Sequence, residues 1–253
     1  MDLQLSGRRA LITGGTKGIG RAIVEGFAAE GAAVGFCART AADVEATEQN
    51  LKQHGVPALG RALDVADGAA VTNWVNDVAA EFGGIDIVVA NVSALAIPDE
   101  EANWQTSFAV DMMGTVRLVN AALPHLERSS AASIVTISSV SGREVDFAAG
   151  PYGTFKAAIV QYTQGLAYQL AGKGIRANTV SPGNTFFEGG VWEGIKSGNP
   201  DLYEMAVGLN PTGKMGSPEE IANAVVFIAS PAASRVSGTN LVVDGALTRG
   251  VQL

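Results

Sequence analysis

The chain has 253 residues, 47% of them hydrophobic and 17% charged, which suits the buried core of one large α/β domain and excludes a disordered polymer. Its 25 acidic residues outnumber 17 basic ones, for a formal charge of −8; such a field repels nucleic acid and anionic lipid, though a local basic site can still hold a small anion. One cysteine, Cys37, excludes an intrachain disulfide, and two isolated histidines, His54 and His125, leave no ligand set for a metal and no base for a Ser-His-Asp triad.

The opening MDLQLSGRRALITGG holds no long apolar stretch before Arg8 and Arg9, so no secretory leader is expected. No run of about 18 apolar residues occurs without polar interruption, so no membrane span is expected either, and the reading is of a soluble cytoplasmic protein. The first predicted strand covers 9–13. TGGTKGIG follows it, from Thr13 to Gly20. Gly14, Gly18 and Gly20 allow positive φ and close backbone approach, and the start of the next helix attracts phosphate. Alone, this spacing also fits a tight strand-to-helix turn; its place after the first strand of an alternating pattern favours a dinucleotide loop, with Thr16, Lys17 and Ile19 as further cofactor contacts. Ile19, Ile23 and Phe27 recur every fourth residue, laying one apolar stripe on a sheet.

The second predicted strand, 33–37, runs on through Ala38 to Arg39 with no carboxylate before Asp43. An acid there would hold free ribose hydroxyls, whereas the donor fork of Arg39 suits a 2′-phosphate, with Lys17 as a second cation. NADP(H) is therefore expected ahead of NAD(H); the alternative for either cation is a solvated surface charge. Thr40 and Asp43 form a Thr-x-x-Asp signal for the next helix. Further strands are predicted at 58–63, 85–90, 133–138, 176–180 and 240–243, separated by helical patterns. Apolar strands alternating with helices mean a parallel sheet covered on both faces and wound by right-handed crossovers. The expected fold is a single doubly wound, Rossmann-like α/β domain over residues 1–253.

Two helical stretches, 108–123 and 155–170, are apolar on nearly all sides and predict subunit contacts, with Met112 and Met113 as interface filling. Trp74 and Trp104 read as packing residues and Cys37 as an inert small hydrophobe. YGTFK places Tyr152 and Lys156 one helical turn apart on one face. A phenol alone gives up its proton too reluctantly near neutrality, and a neighbouring ammonium favours its ionised form. Ser138 and Ser139 end the apolar strand just upstream, where open sheets present active-site groups. A serine there would hold a substrate oxygen while Tyr152 exchanges a proton; hydride would have to come from a nicotinamide, since no side chain carries it. The segment 184–213 breaks the alternation and reads as a substrate lid, whose Phe186, Phe187, Trp192 and Tyr203 either line an apolar site or pack the lid.

In order along the chain, TGGTKGIG, LDVAD at 63–67, IDIVVAN ending at Asn91, VTISS ending at Ser139, YGTFK, IRANTVSPG ending at Gly183, GSPEEIANAVVFIAS and the VDG at 243–245 resemble the short-chain dehydrogenase/reductase family over essentially the whole length, its 3-oxoacyl-ACP-reductase-like members included. The resemblance implies that Ser139 is the catalytic serine, thirteen residues before Tyr152, and that Lys156 also binds the nicotinamide ribose. It implies Asp64 and Val65 beside the adenine, Asn91 along the cofactor, Pro182, Gly183 and Thr185 near the nicotinamide, and a homotetramer. Asp111 stands where the family has an asparagine that orders a relay water, largely through its backbone. Ser93 stands on the pocket floor in place of a glycine, and Thr185-Phe186-Phe187 replaces the family's Ile-x-Thr. Leu95, Val145 and Phe147 are expected to face the same pocket. The function implied is NADP(H)-dependent interconversion of a ketone or aldehyde and an alcohol, with no nucleic-acid or membrane partner. The alternatives are an NAD-linked dehydrogenase and a cofactor-binding sensor or scaffold that has lost turnover.

Overall fold

The computed structural model describes residues 1–250 of the chain. Seven strands form one parallel sheet in the order β3-β2-β1-β4-β5-β6-β7. They are β1 (Arg9–Thr13), β2 (Ala33–Ala38), β3 (Ala58–Ala62), β4 (Ile87–Ala90), β5 (Ser133–Ile137), β6 (Arg176–Pro182) and β7 (Asn240–Val243). All seven predicted strands are present. Two differ by two residues at an end, for local reasons. β4 starts at Ile87 because Asp86 is turned to Arg9, whose Nε and Nη2 each donate to its carboxylate at 2.8 Å. Burial would raise the Asp86 carboxyl, but the bonds from Arg9 and Ser129 win and hold it below the usual carboxylate range. β6 runs on to Pro182, opposite Val243, where a strand can end on a residue without an N–H.

Period-two alternation along the strands builds two cores. Leu11, Val88 and Ile134 face one side, with α3 (Gly68–Phe82), α5 (Met113–Leu126) and α6 (Pro151–Leu170) packed over them. Ile12, Val89 and Val135 face the other, covered by α1 (Gly18–Ala29), α2 (Ala41–Leu51) and α9 (Pro218–Ala229). Trp74 is buried in the first core, as its sequence context implied, and Trp104 meets Phe155 edge-on at 6.0 Å. Asp67 caps α3 by accepting from Ala69 N and Ala70 N, both at 3.0 Å. The Thr40 signal is corrected: Thr40 precedes α2, but its side chain makes no capping bond, and the Asp43 carboxylate instead meets Lys17 Nζ at 3.0 Å. An ammonium within reach is a stronger partner than a neutral helix start.

The sheet reverses its winding between β1 and β4, so the crevice of a doubly wound sheet opens beyond their carboxyl ends. Between β6 and α9 the predicted lid segment folds as α7 (Val191–Gly198) and α8 (Pro200–Leu209). These helices hold a small apolar cluster of their own around Trp192, Ala206 and Met215, with Phe186 and Tyr203 against it. Among the described residues, no helix is long and apolar enough to cross a membrane.

Candidate active site

The crevice holds a cavity of about 530 Å³, and the carboxyl ends of β1, β2, β4, β5 and β6 all feed it. Its floor is the loop between β1 and α1. Gly14 has φ +71°, and a Cβ on Gly20 would collide with the Gly14 carbonyl, so this tight passage admits only glycine at both places. Asn91, just after β4, braces the loop: its Nδ2 donates to Thr13 O at 3.0 Å and to Gly14 O at 3.3 Å. Thr16, Lys17 and Ile19 line the cavity beside them. Arg39, Asp64 and Val65 line its far end. Arg39 is exposed and has no ion-pair partner among the described residues, whereas Lys17 is held by Asp43. Cys37 also borders the cavity, yet burial pushes its thiol up to about 12, which leaves it unreactive.

Gly18 alone of the predicted loop residues is covered. A Cβ there would sit 2.5–2.8 Å from ring carbons of Phe187, so the aromatic ring lies directly on it. Pro182, Gly183 and Thr185 line the opposite wall, and Thr185 Oγ1 donates to Gly183 O at 3.0 Å.

At the inner end, β5 and α6 bring the serines, Tyr152 and Lys156 to the cavity. Ser138 and Ser139 follow β5, and their hydrogen bonds separate their roles. Ser138 Oγ donates to the carbonyl of Lys156 at 2.8 Å, tying α6 to the sheet. Ser139 Oγ instead donates to Ser141 Oγ at 3.3 Å inside the cavity. Tyr152, half-buried in the first turn of α6, opens on the same space. Gly153 lets that turn approach the loop after β5: a Cβ would lie 2.7 Å from Ala148 O and 2.8 Å from Ser141 O. The Lys156 ammonium, 2% exposed, donates to Ile137 O at 3.1 Å and lies 5.6 Å from the centre of the Tyr152 ring.

Behind Lys156 stands Asp111. The helix carrying it passes from α4 (Glu101–Ser107) through a π turn, Phe108–Met112, into α5, and such turns redirect side chains toward functional sites. Asp111 is 1% exposed; its Oδ2 accepts Ala94 N at 3.0 Å and its Oδ1 comes within 3.4 Å of Lys156 Nζ. The side chain of Asp111 thus makes contacts that the expected backbone role does not include. Its carbonyl takes the Thr115 hydroxyl at 2.7 Å, and its carboxylate is the group that faces the lysine.

The predicted substrate-facing residues divide. Ser93, Leu95, Phe147, Phe187 and Trp192 line the cavity. Leu95 has φ +52°, a left-handed strain set beside the bonds of Ser93 Oγ to its N–H and of Asp111 to Ala94. Phe147 and Trp192 meet edge-on at 6.0 Å, joining the loop after β5 to α7. Val145 is a correction: it is 92% exposed, because Asp146 folds back to Ser141 and Ala148 and throws its neighbour outward. Phe186 is another, turned from the cavity to Tyr203 at 5.9 Å and Lys196 at 5.4 Å, where it packs α7 on α8. The Ser141–Asp146 pair was missed. Its only sequence signal was a second serine and an acid shortly after Ser139, a pattern loops share widely.

A family model described as "Enoyl-(Acyl carrier protein) reductase" matches residues 14–248. The chain is 44% identical over 254 aligned positions to "Isoepoxydon dehydrogenase patN" of Penicillium expansum, covering 98% of this chain and 97% of that protein. Among solved structures, a mutant short-chain dehydrogenase/reductase of Serratia marcescens superposes with a TM-score of 0.90 at 31% identity, covering 97% of this chain and 99% of the other. A short-chain dehydrogenase of Burkholderia cenocepacia, solved in complex with NADP, gives 0.88 at 30% identity over 96% and 99% of the two chains.

Proposed function

From the premise that this chain belongs to the short-chain dehydrogenase/reductase family and is an oxidoreductase of it, we propose that it interconverts a ketone or aldehyde and an alcohol with NADP(H). The observation that carries this reading is that Ser139, Tyr152 and Lys156 open on the same cavity as the glycine loop. The donors fit a phosphorylated dinucleotide. The loop between Gly14 and Gly20 offers backbone for a diphosphate, Asp64 and Val65 border the adenine end, and Arg39 stands there as a cation without an ion-pair partner among the described residues. The solved relative with NADP supports that choice over NAD. Phe187 must leave Gly18 for phosphate to reach the backbone beneath it. When bound, the nicotinamide supplies or accepts the hydride.

The chain's own groups do the rest. Tyr152 gives its proton to the carbonyl oxygen during reduction and takes it back during oxidation. Ser139 donates a hydrogen bond to the same oxygen as negative charge develops on it. Lys156 stabilises the ionised phenol and binds the ribose. Asp111 keeps that ammonium in place and locks the loop through Ala94. Ser93, Leu95, Phe147 and Trp192 surround the substrate, and α7 with α8 closes over it as a lid. The whole chain works as one cytoplasmic domain, and copies associate as a homotetramer through the apolar face of α6, where Tyr168 is 90% exposed.

Tyr152→Phe tests the reading. It removes the proton donor and keeps the ring, so ketone-dependent NADPH oxidation should fall by a factor on the order of 10²–10⁴. Binding of NADPH, followed by its fluorescence, should stay within about twofold of the parent. Undiminished turnover would take Tyr152 out of the mechanism.

A further inference from the structure

The loop after β5 carries a short hydroxyl chain that proton transfer by Tyr152 does not use. Ser139 Oγ donates to Ser141 Oγ at 3.3 Å, and Ser141 Oγ donates to Asp146 Oδ2 at 2.6 Å. Asp146 is fixed from behind, its Oδ1 accepting Ala148 N at 2.8 Å. Ser141 lines the cavity alongside Ser139. A carboxylate only accepts, so Ser141 must give its single proton to Asp146 and keep its lone pairs for the cavity side. Ser141 is thus an acceptor of settled direction, and in the free protein the acceptor is filled by Ser139.

Binding of a carbonyl changes that account. Ser139 has one proton, and once it is donated to the substrate oxygen, Ser141 loses its donor. A half-buried acceptor stripped of water and left without a partner costs free energy that a matching group on the substrate would recover. The two serine oxygens, 3.3 Å apart, stand about as far from each other as oxygens on adjacent carbon atoms. Of the residues placed around the substrate, Leu95 and Phe147 are apolar, Trp192 is only a donor, and Ser93 Oγ already accepts the Leu95 N–H at 3.2 Å.

We infer that Ser141, held by Asp146, is the specificity-determining residue for a hydroxyl next to the reacting carbonyl, so that the substrate class is an α-hydroxy ketone, or a vicinal diol in the oxidative direction. The inference rests on the reaction proposed above and deepens it. Hydride adds to the carbonyl carbon, the Tyr152 proton goes to its oxygen, and the adjacent hydroxyl donates to Ser141 Oγ throughout without being made or broken. The product of reduction is the vicinal diol.

The test is a pair of ketones differing only in that hydroxyl, 2-hydroxycyclohexanone and cyclohexanone, with NADPH and the intact chain. One hydrogen bond present with one ketone and lost with the other corresponds to a ratio of about tenfold or more in kcat/KM. Ser141→Ala should collapse the ratio to near one, and Ser141→Thr, which retains the hydroxyl, should keep most of it. A ratio near one in the parent chain overturns the inference while leaving the carbonyl-reductase reading intact. So does a Ser141→Ala variant that slows both ketones equally and keeps the ratio, since Ser141 would then merely position Ser139. No turnover of either ketone would sink the reading of Tyr152, and this inference with it.

Discussion

Lys156 and Asp111 are two charged groups held almost wholly out of water, 3.4 Å apart. Desolvation makes such pairs poor contributors to stability, so their retention at the cavity wall points to a chemical reason. The pairing fixes the ammonium against Ile137 O and beside the Tyr152 ring, where the proposed function needs it for phenol and ribose. Tyr152, Lys156 and Ser139 were legible because residue type, spacing and strand-end position agree. The contact of the Asp111 carboxylate with Lys156 was not, since the π turn that aims it inward leaves no mark on helical spacing. The place of Arg39 on the cavity follows from its position just after β2, where no acid stands beside it. Lys17, read as a second cation, lines the same cavity but is paired with Asp43 at 3.0 Å. On the function proposed above, Arg39 is therefore the chief clamp for a 2′-phosphate. Arg39→Asp should weaken NADPH binding about 10- to 100-fold, the scale of one or two charge-assisted bonds, and leave NADH binding nearly unchanged. Titration of both cofactors checks this, and an unaltered NADPH-to-NADH ratio would overturn the clamp.

Elements set the precision of these contacts. α6 meets the loop after β5 through Gly153, and no other residue fits between Ala148 O and Ser141 O without a shift. Gly153→Ala should therefore cost about 2 kcal/mol by overpacking, read from denaturant unfolding, and should also displace Ser141 and lower kcat for ketone reduction more than tenfold. A variant with parental stability and turnover would show that the close approach carries no weight. Element type was easily read along the sheet, where runs of β-branched and apolar residues between turn signals gave every strand. It was least informative in the 184–213 segment. Phe186 and Phe187 are neighbours of the same type, yet one packs on Tyr203 and the other lies on Gly18. Which of two adjacent rings enters a cleft depends on where α7 and α8 settle, and that is tertiary packing invisible to local pattern. Val145 failed similarly, because the fold-back of Asp146 is a loop bond and not a periodicity.

At the scale of the molecule, the sheet order brings distant segments to one edge. The glycine loop, Asn91, Ser139 and Pro182-Gly183 are spread along the chain from Gly14 to Gly183 and meet because each follows a strand pointing the same way. The two cores on either side support that edge, and Arg39 and Lys17 stand along the cavity as cations in a chain of net charge −8. On the proposed function, a dinucleotide lies from Arg39 to Lys156 with a carbonyl against Tyr152 and Ser139. The most direct measurement is isotope transfer from NADPH deuterated at the nicotinamide C4, prepared in each stereochemistry, to cyclohexanone and 2-hydroxycyclohexanone. Deuterium from one face only should appear on the new carbinol carbon, while the oxygen takes its proton from solvent-exchangeable groups. An alcohol product carrying no deuterium from either face would contradict hydride transfer in this cleft.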